Sequence, residues 1–426
     1  MNRDEKIIAA PETAGEHIRD EDTFVVLGGS EDGYQLVTAV GVKQVESTKS
    51  TDVENVDGLD LFDEYLVGPE LERLGKTSPF GLIVRIKIKD EIEKIISKAS
   101  AVSEKDLEAV VEKKLGDIFN LISGVSHEHT RDQIEIKIST DAVKNGITFE
   151  KIEGFVNETL LEEFPFIESV SVRIYTDKES VAAGLEIARG IYEKRDERAL
   201  TLHDEETEKF YGCKICQISS PAHVCVITPD RPSVCGTINW FEAGASVLAN
   251  PGGPVFEIDK DELLDQTGGE YSGVDRAVFS ESGGENEKIQ LYSLIENPHT
   301  TGSVFEIIAF YIPELNGIGL IDRQTKTQSV NCLTFEEMAI FTGYGQQISG
   351  FSGIGEMYLL SDKFMQKEGG WESVVWIADS LKNKLIQKIK SADSKKYEKL
   401  LDRVQKIPTE KDVGNLKELE EYWKTA

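Results

Sequence analysis

Four of the chain's five cysteines fall within 23 residues, as Cys213, Cys216, Cys225 and Cys235, with the spacing C-x2-C-x8-C-x9-C. A C-x2-C pair sets two thiolates on one turn, where both reach the same metal. Two more cysteines complete four soft ligands, a set that suits a [4Fe–4S] cubane and a zinc ion alike. The spacing matches neither the two C-x2-C knuckles of a zinc ribbon nor the tight run of a bacterial ferredoxin. The residues by themselves therefore leave iron–sulfur and zinc both open. Clustering argues against scattered core thiols, and in a reducing compartment it argues for metal over disulfide. Pro221, Pro229 and Pro232 stiffen the connecting loops. Gly212 and Gly236 flank the outer cysteines and let backbone amides come close to cluster sulfurs. His223 lies between two of the cysteines and reads as a residue that fixes the loop and orients ligands.

Other constellations carry less chemistry. His127-Glu128-His129 has no third ligand in view and reads as a solvated loop. Gly75-Lys76-Thr77 has Glu70 where a phosphate loop needs glycine, and a helix-like segment before it instead of a strand, so a phosphate site is rejected. Gly343-Tyr-Gly345 and Gly353-Ile-Gly355 complete no dinucleotide fingerprint and read as glycines that shape a loop near the crevice of the cluster domain. Cys332 reads as a small core or loop residue. No Ser/His/Asp set and no paired carboxylates stand out.

The elements that must position the cysteines follow from periodicity. Thr23–Leu27 and Tyr34–Val40 read as short strands around Gly28, Gly29 and Gly33. Val84–Lys89, Gln133–Ser139 and Val170–Tyr175 alternate apolar and polar residues, as half-buried strands do. Helical spacing marks Glu104–Ile122, capped by Ser103, then Phe149–Phe164 and Lys178–Lys194. A charged stretch, Glu193–Lys209, marks a boundary. Beyond the cysteines and a Gly/Pro-rich segment at Asn250–Pro254, strands are predicted at Gln290–Ile295, Phe305–Ile312, Gly319–Asp322 and Val374–Ile377. Helices are predicted at Leu333–Phe341 and Ser380–Ser391, and Pro408 breaks a charged helical tail. The fold class is α+β, with strands alternating with helices.

A length of 426 residues is too much for one core and implies two or three domains. The boundaries read as a polar N-terminal segment over residues 1–20, an α+β domain over 21–205, and a cluster-binding domain over 206–426 whose tail spans 392–426. The formal net charge of −30 repels nucleic acid and anionic lipid, so neither a nucleic-acid nor a membrane partner is expected. Such acidity serves solubility first, and also fits a salt-adapted host or a basic partner. No apolar run approaches the ~20 residues of a membrane helix. The N-terminus has no apolar h-region, so a cytoplasmic protein is expected.

The cysteine segment resembles the β subunit of archaeal acetyl-CoA decarbonylase/synthase, in the acetyl-CoA synthase family. His223-Val-Cys225-Val-Ile-Thr-Pro229 and Cys235-Gly-Thr-Ile-Asn-Trp-Phe241 follow that family's cluster-binding region with the same cysteine spacing. The likeness continues through Gly269-Glu-Tyr-Ser-Gly-Val274, Leu291-Tyr-Ser-Leu294, Pro298-His-Thr300, Phe305-Glu306, Ala309-Phe-Tyr-Ile-Pro-Glu314 and Gly369-Gly-Trp371. It reaches the tail at Pro408-Thr-Glu-Lys-Asp-Val413 and, more weakly, the strand at Val170–Asp177. It covers the chain from about residue 20 to 426 and is similar to the archaeal form, without the extra N-terminal domain of bacterial enzymes. The two domains would then be those of the family's middle and cluster-bearing C-terminal parts. The resemblance implies that Cys213, Cys216, Cys225 and Cys235 hold a [4Fe–4S] cubane. It also implies that the thiolate at Cys216 bridges to a proximal nickel, where methyl and carbonyl groups combine before transfer to coenzyme A.

One departure bears on all of that chemistry. The family's Thr-Ser-Cys-Gly-Cys-Phe-Glu aligns with Thr300-Thr301-Gly302-Ser303-Val304-Phe305-Glu306. Gly302 and Val304 thus replace both cysteines that hold the distal nickel and bridge it to the proximal one. Ser219 stands where the family has phenylalanine beside the proximal metal. A square-planar nickel with two thiolates and two amides has lost its ligands here, so nickel is not expected. What remains implied is a nickel-free iron–sulfur protein that transfers electrons or docks with a corrinoid or other methyl-transfer or redox protein, without making acetyl-CoA. Two other readings stay open: an active synthase/decarbonylase with an altered metal site, and a non-redox binding or regulatory module in which the metal is structural. The first makes the chain an enzyme and the others do not. Retention of coenzyme A binding is compatible with each.

Overall fold

The computed structural model describes residues 24–26, 36–38, 66–73, 76–88, five helical positions between 111 and 119, most of 121–218, and then 220–302, 304–322, 345–391 and 394–425. The chain divides into two compact units, one of residues 1–202 with 237–257, the other of residues 203–236 with 258–426. The fold is α+β. Among the described residues no helix is long and apolar enough to cross a membrane.

In the first unit β1 (Phe24–Val26) and β2 (Leu36–Thr38) pair antiparallel. Five longer strands make a mixed sheet: β3 (Leu66–Arg73), β4 (Lys76–Ile88), β5 (Val125–Thr130), β6 (Gln133–Ile138) and β7 (Ile167–Tyr175). Their order is β5-β6-β3-β4-β7, with β3 parallel to β6 and β4 antiparallel to β7. Three alternating segments of the sequence are recovered as parts of β4, β6 and β7, because side chains of period two feed one face into a core. Leu82 and Val84 of β4, with Val172 and Ile174 of β7, are all buried in it.

Helix α1 (Phe149–Glu163) covers that face. Its buried residues Phe149, Ile152, Val156 and Leu160 recur at three and four residues, one stripe of a 3.6-residue period. The Thr148 side chain accepts a hydrogen bond from the Lys151 amide and starts the helix. Phe164 ends it, ahead of Pro165, which disfavours helix for the residue before it. Val111, Leu115, Ile118 and Phe119 join the same core, as the helical spacing there predicts. Helix α2 (Lys178–Ala199) begins at Asp177, whose side chain caps the Ser180 amide. Helix α3 (Trp240–Ala249) is closed by a reciprocal cap between Asn239 and Glu242, and Arg198 stacks on Phe241 at 4.0 Å.

The second unit carries a four-stranded sheet of β13 (Ile307–Ile312), β14 (Gly317–Asp322), β15 (Phe351–Ile354) and β16 (Val374–Ile377), ordered β15-β13-β14-β16. (Strands β8 to β12 are Lys209–Cys213, Cys225–Ile227, Val255–Asp259, Leu263–Asp265 and Glu270–Tyr271, and helix α4 is Ser272–Glu281.) Asn316, left-handed at φ 47°, ends the turn between β13 and β14. Helices α5 (Asp379–Ser391), α6 (Ser394–Lys406) and α7 (Leu416–Thr425) follow. Leu381, Leu385 and Ile389 form the buried stripe of α5.

Several expectations change. Gln290–Ile295, expected as a strand, is none. The amides of Leu291 and Tyr292 donate to Gly269 and Gly268 carbonyls, and those of Leu294 and Ile295 donate to the Glu368 carboxylate, so no ladder partner is left for them. His127 and His129 sit on β5, opposite Ile136 and Ile134, instead of in a loop. The segment before Gly75 is strand β3 and not helix-like, with Arg73 paired to Lys76 of β4, while Gly75 itself lies outside the described residues. Gly353 lies inside β15, where a β-carbon would press on the Phe305 side chain at 2.9 Å. Gly28, Gly29, Gly33, the helix predicted at Leu333–Phe341, Cys332, Ser219 and Ser303 lie outside the described residues.

Candidate metal centre

The four cysteines come from a strand, a turn, a second strand and a second turn. Cys213 ends β8 and Cys225 begins β9, and the two strands pair antiparallel with Cys213 directly opposite Cys225. Opposed residues of an antiparallel pair put their side chains on the same face. Cys216 sits in the short 3-10 turn Ile215–Ile218 between them. Backbone bonds fold the rest of that loop: Ser220 donates to the Cys216 carbonyl and His223 to the Ser220 carbonyl, each at 2.8 Å. The Gln217 side-chain amide ties the turn to the carbonyls of His223 and Glu281, at 3.0 and 2.7 Å.

Cys235 stands on a turn closed by the Gly236 amide donating to Ser233. Gly236 has φ +72°, and a β-carbon there would fall inside the Glu306 carboxylate. Glu306 in turn accepts from the Glu356 amide at 2.6 Å, and its own amide donates to the Val234 carbonyl. Glu306 thus braces the Cys235 turn. In the sequence the Phe305-Glu306 pair is visible only as an anchor of the alignment, and that anchor is the one signal it gives.

None of the four cysteines is in a disulfide. Cys213, Cys225 and Cys235 are buried, and Cys216 is half-buried. Burial pushes the Cys225 thiol up to about 12, with the neighbouring Cys235 and, less strongly, Cys216 adding to the rise. Cys225 therefore faces Cys213 across the ladder and feels both remaining thiols. Among the described residues no group of three or more His, Cys, Asp or Glu closes on a single metal ion. A cubane spreads its ligands over four irons.

The surroundings of the cysteines are polar and buried. The His223 Nδ1 lies 2.8 Å from Thr300 Oγ1. His299 takes the Val226 amide on Nε2 at 2.9 Å and has Nδ1 2.9 Å from the Thr300 carbonyl, which sets the proton on Nδ1. Burial holds the His299 imidazole neutral, far below the usual histidine range. Pro298-His-Thr300 therefore buttresses the strand that bears Cys225. Gly345 has φ +79° and packs against the His223 amide, while the Asn286 side chain donates to Ala222 and Gly345 carbonyls. Gly345 is thus a loop glycine packed on the cysteine segment, a contact its sequence position does not reveal.

Arg231 is 2% exposed, and its Nε and Nη1 meet no hydrogen-bond partner. A buried guanidinium is costly unless an anion offsets it. Four thiolates with sulfides are such an anion, so this orphaned cation fits a cluster at the four cysteines. Beside Arg231, Asp204 and Asp230 exchange backbone-to-carboxylate bonds at 2.8 Å each. Tyr292 donates its hydroxyl to Asp204. Burial first, then the Asp230 charge, raises Asp204 to about 6. Neither Arg231 nor Asp204 stands out in the sequence, because both are made significant by partners tens of residues away.

At Gly302 and Val304, which the resemblance aligns with two nickel cysteines, the space is filled. A β-carbon on Gly302 would stand 2.8 Å from His223 Nε2, so the imidazole occupies that space. Val304 is buried and apolar. Neither position offers a ligand.

A family model for the C-terminal part of the ACS/CODH beta subunit matches residues 192–426. A second, for the beta subunit of the CO dehydrogenase/acetyl-CoA synthase complex, matches residues 6–181. The chain is 39% identical to acetyl-CoA decarbonylase/synthase complex subunit beta 2 of Methanocaldococcus jannaschii, over 100% of its length and 83% of the relative's. It is 38% identical to subunit beta 1 of Methanosarcina mazei, covering 97% of this chain and 81% of that one. It is 39% identical to the subunit beta of Archaeoglobus fulgidus, covering 97% and 73%.

Proposed function

Because the chain belongs to the acetyl-CoA decarbonylase/synthase beta-subunit family, we propose that it is a nickel-free member carrying one [4Fe–4S] cluster on Cys213, Cys216, Cys225 and Cys235. In this reading the protein moves single electrons to, or docks with, a corrinoid or other methyl-transfer protein. It does not join methyl, carbonyl and coenzyme A. The observation that carries the reading is Gly302 beneath the His223 imidazole, with apolar Val304 beyond it, where the family resemblance places two nickel thiolates. Nickel in a thiolate–amide plane needs both sulfurs, and neither residue supplies one. A cubane needs only the four cysteines; Cys213 and Cys225 face each other across β8 and β9, and Cys216 and Cys235 both bear on Cys225. Such a cluster is a one-electron centre without nickel. Half-buried Cys216 supports an electron path at that corner, since the other three thiols are enclosed.

Metal and sulfide analysis of anaerobically purified protein tests this. Iron and acid-labile sulfide in equal amounts, without nickel, are expected. Stoichiometric nickel would reinstate the synthase, and zinc in place of iron would leave only a structural metal. Carbonyl exchange with acetyl-CoA is expected to be no greater than in a Cys216→Ala variant.

A further inference from the structure

The loop between Cys225 and Cys235 buries one full positive charge. Thr228 and Arg231 clamp it: the Thr228 amide donates to the Arg231 carbonyl at 2.9 Å, and the Arg231 amide to Thr228 Oγ1 at 3.0 Å. That clamp sends the Arg231 side chain inward, where the guanidinium carbon lies 5.1 Å from the Tyr358 ring centre. The groups that bear on its charge most strongly are Tyr358, Cys225 and Tyr292, none of them a carboxylate. Asp230, its neighbour in sequence, is already engaged by the Asp204 amide, His203 and Ser361. Arginine stays charged at any working pH. A ring face offsets part of that charge, yet two donor nitrogens remain unmatched. A buried charge left in this state destabilises a fold unless something anionic completes it.

We propose that Arg231 is the charge partner of the metal centre, a positioning residue whose buried guanidinium offsets the negative charge of the cluster, favours its loading and raises its reduction potential. The inference rests on the cubane reading of the four cysteines. Reduction adds one electron from an external one-electron carrier and makes the cluster more negative. A fixed cation beside Cys225 stabilises the reduced form more than the oxidised one. Charge, hydrogen bonding and burial are the means by which a protein sets such a potential.

The test compares the full-length wild type with Arg231→Met and Arg231→Lys, purified anaerobically. Cluster content is read by iron, sulfide and visible absorption, and the potential by a dithionite titration followed by electron paramagnetic resonance. Arg231→Met is expected to be at least tenfold harder to reduce, about 59 mV lower for one electron. Arg231→Lys is expected to stay within threefold of wild type. The metal-free forms supply a second sign. Without the cluster the guanidinium is uncompensated, so metal-free Arg231→Met is expected to unfold at higher denaturant than metal-free wild type, and the loaded forms to reverse that order. An unchanged potential in Arg231→Met overturns the proposal, as does Arg231→Lys behaving like Arg231→Met. If Arg231→Met folds but takes up no cluster while Arg231→Lys does, the charge is required for loading and the proposal stands. If both variants fail to fold, shape and not charge is what Arg231 supplies, and the proposal falls. A wild type without iron and sulfide refutes the cubane reading itself, a result distinct from any of these.

Discussion

The His223 imidazole lies over the α-carbon of Gly302, so close that a β-carbon there would stand 2.8 Å from Nε2 and 3.0 Å from Cδ2. The ring is held in place from its other nitrogen, where Nδ1 is 2.8 Å from Thr300 Oγ1. Glycine is thus a packing requirement at 302, with no left-handed backbone involved. Gly302→Ala is expected to cost about 1–3 kcal/mol, the usual penalty for overpacking a filled site. Denaturant unfolding of the loaded protein measures it. Full stability in Gly302→Ala would mean that the imidazole does not fill this space.

Gly236 makes a stronger demand. Its φ of +72° disfavours any side chain, and the Glu306 carboxylate fills the position a β-carbon would take. Left-handed backbone costs a non-glycine residue roughly 1–2 kcal/mol before any clash is counted. Gly236→Ala is expected to lower iron content by displacing the Cys235 turn, and Glu306→Gln to be milder, since it keeps the shape and an acceptor for the Glu356 amide. Iron retained at wild-type levels in Gly236→Ala would show that the turn does not depend on this contact.

Asp204 sets a pH signature. Burial and the Asp230 charge raise its pKa from 3.8 to about 6 in the folded protein. A raised pKa means the folded state holds the proton more tightly than the unfolded one. Its stabilisation is complete below pH 3.8 and is lost as the pH climbs through about 6. Asp177, Glu205, Asp265 and Asp412, all lowered, act in the opposite sense, so total stability is not the readout. The readout is wild type minus Asp204→Asn. Asparagine still accepts from the Asp230 amide and cannot ionise, so this difference is expected to fall by about 2–3 kcal/mol between pH 4 and pH 7. A difference that does not change with pH would count against a raised Asp204.

What the sequence makes legible separates local from distant signals. Cys213, Cys216, Cys225 and Cys235 stand out as candidate ligands because a metal site would need one residue type at short spacing. The strands in VRIKIK, QIEIKI and VSVRIY were legible because alternation and a half-buried sheet face are the same fact. The strand expected at Gln290–Ile295 does not form: Gln290 through Leu294 are all buried, but the amides of Leu291, Tyr292 and Leu294 are taken by Gly269, Gly268 and Glu368. Glycine misled in the other direction at Gly353, which serves close packing on Phe305 within β15 and does not break it. Arg231, Asp204 and Glu306 were silent, since an isolated charged residue reads as surface until its burial and its distant partners are known.

In the proposed cluster site, Cys225 decides how the centre would fill. Metal binds thiolate and not thiol, so each thiol that starts protonated releases a proton on loading. Burial pushes Cys225 up to about 12, which keeps it protonated in the metal-free fold throughout the working range. Loading is therefore expected to grow stronger with pH, by about tenfold per pH unit for each thiol that must ionise. The sign for folding is the reverse: a thiol raised above its unfolded value of 9.0 stabilises the metal-free fold below that pH, and the contribution is lost as the pH rises toward about 12. Alkalinity above about pH 9 should thus weaken the empty protein, while uptake strengthens with pH. Denaturant midpoints of the metal-free protein at about pH 9, 10 and 11 read the stability, and reconstitution with iron and sulfide at pH 7, 8 and 9, followed by iron content, reads the uptake. Uptake that is flat over this range would mean that Cys225 is already ionised before metal arrives, and that the guanidinium of Arg231 outweighs burial in setting its charge.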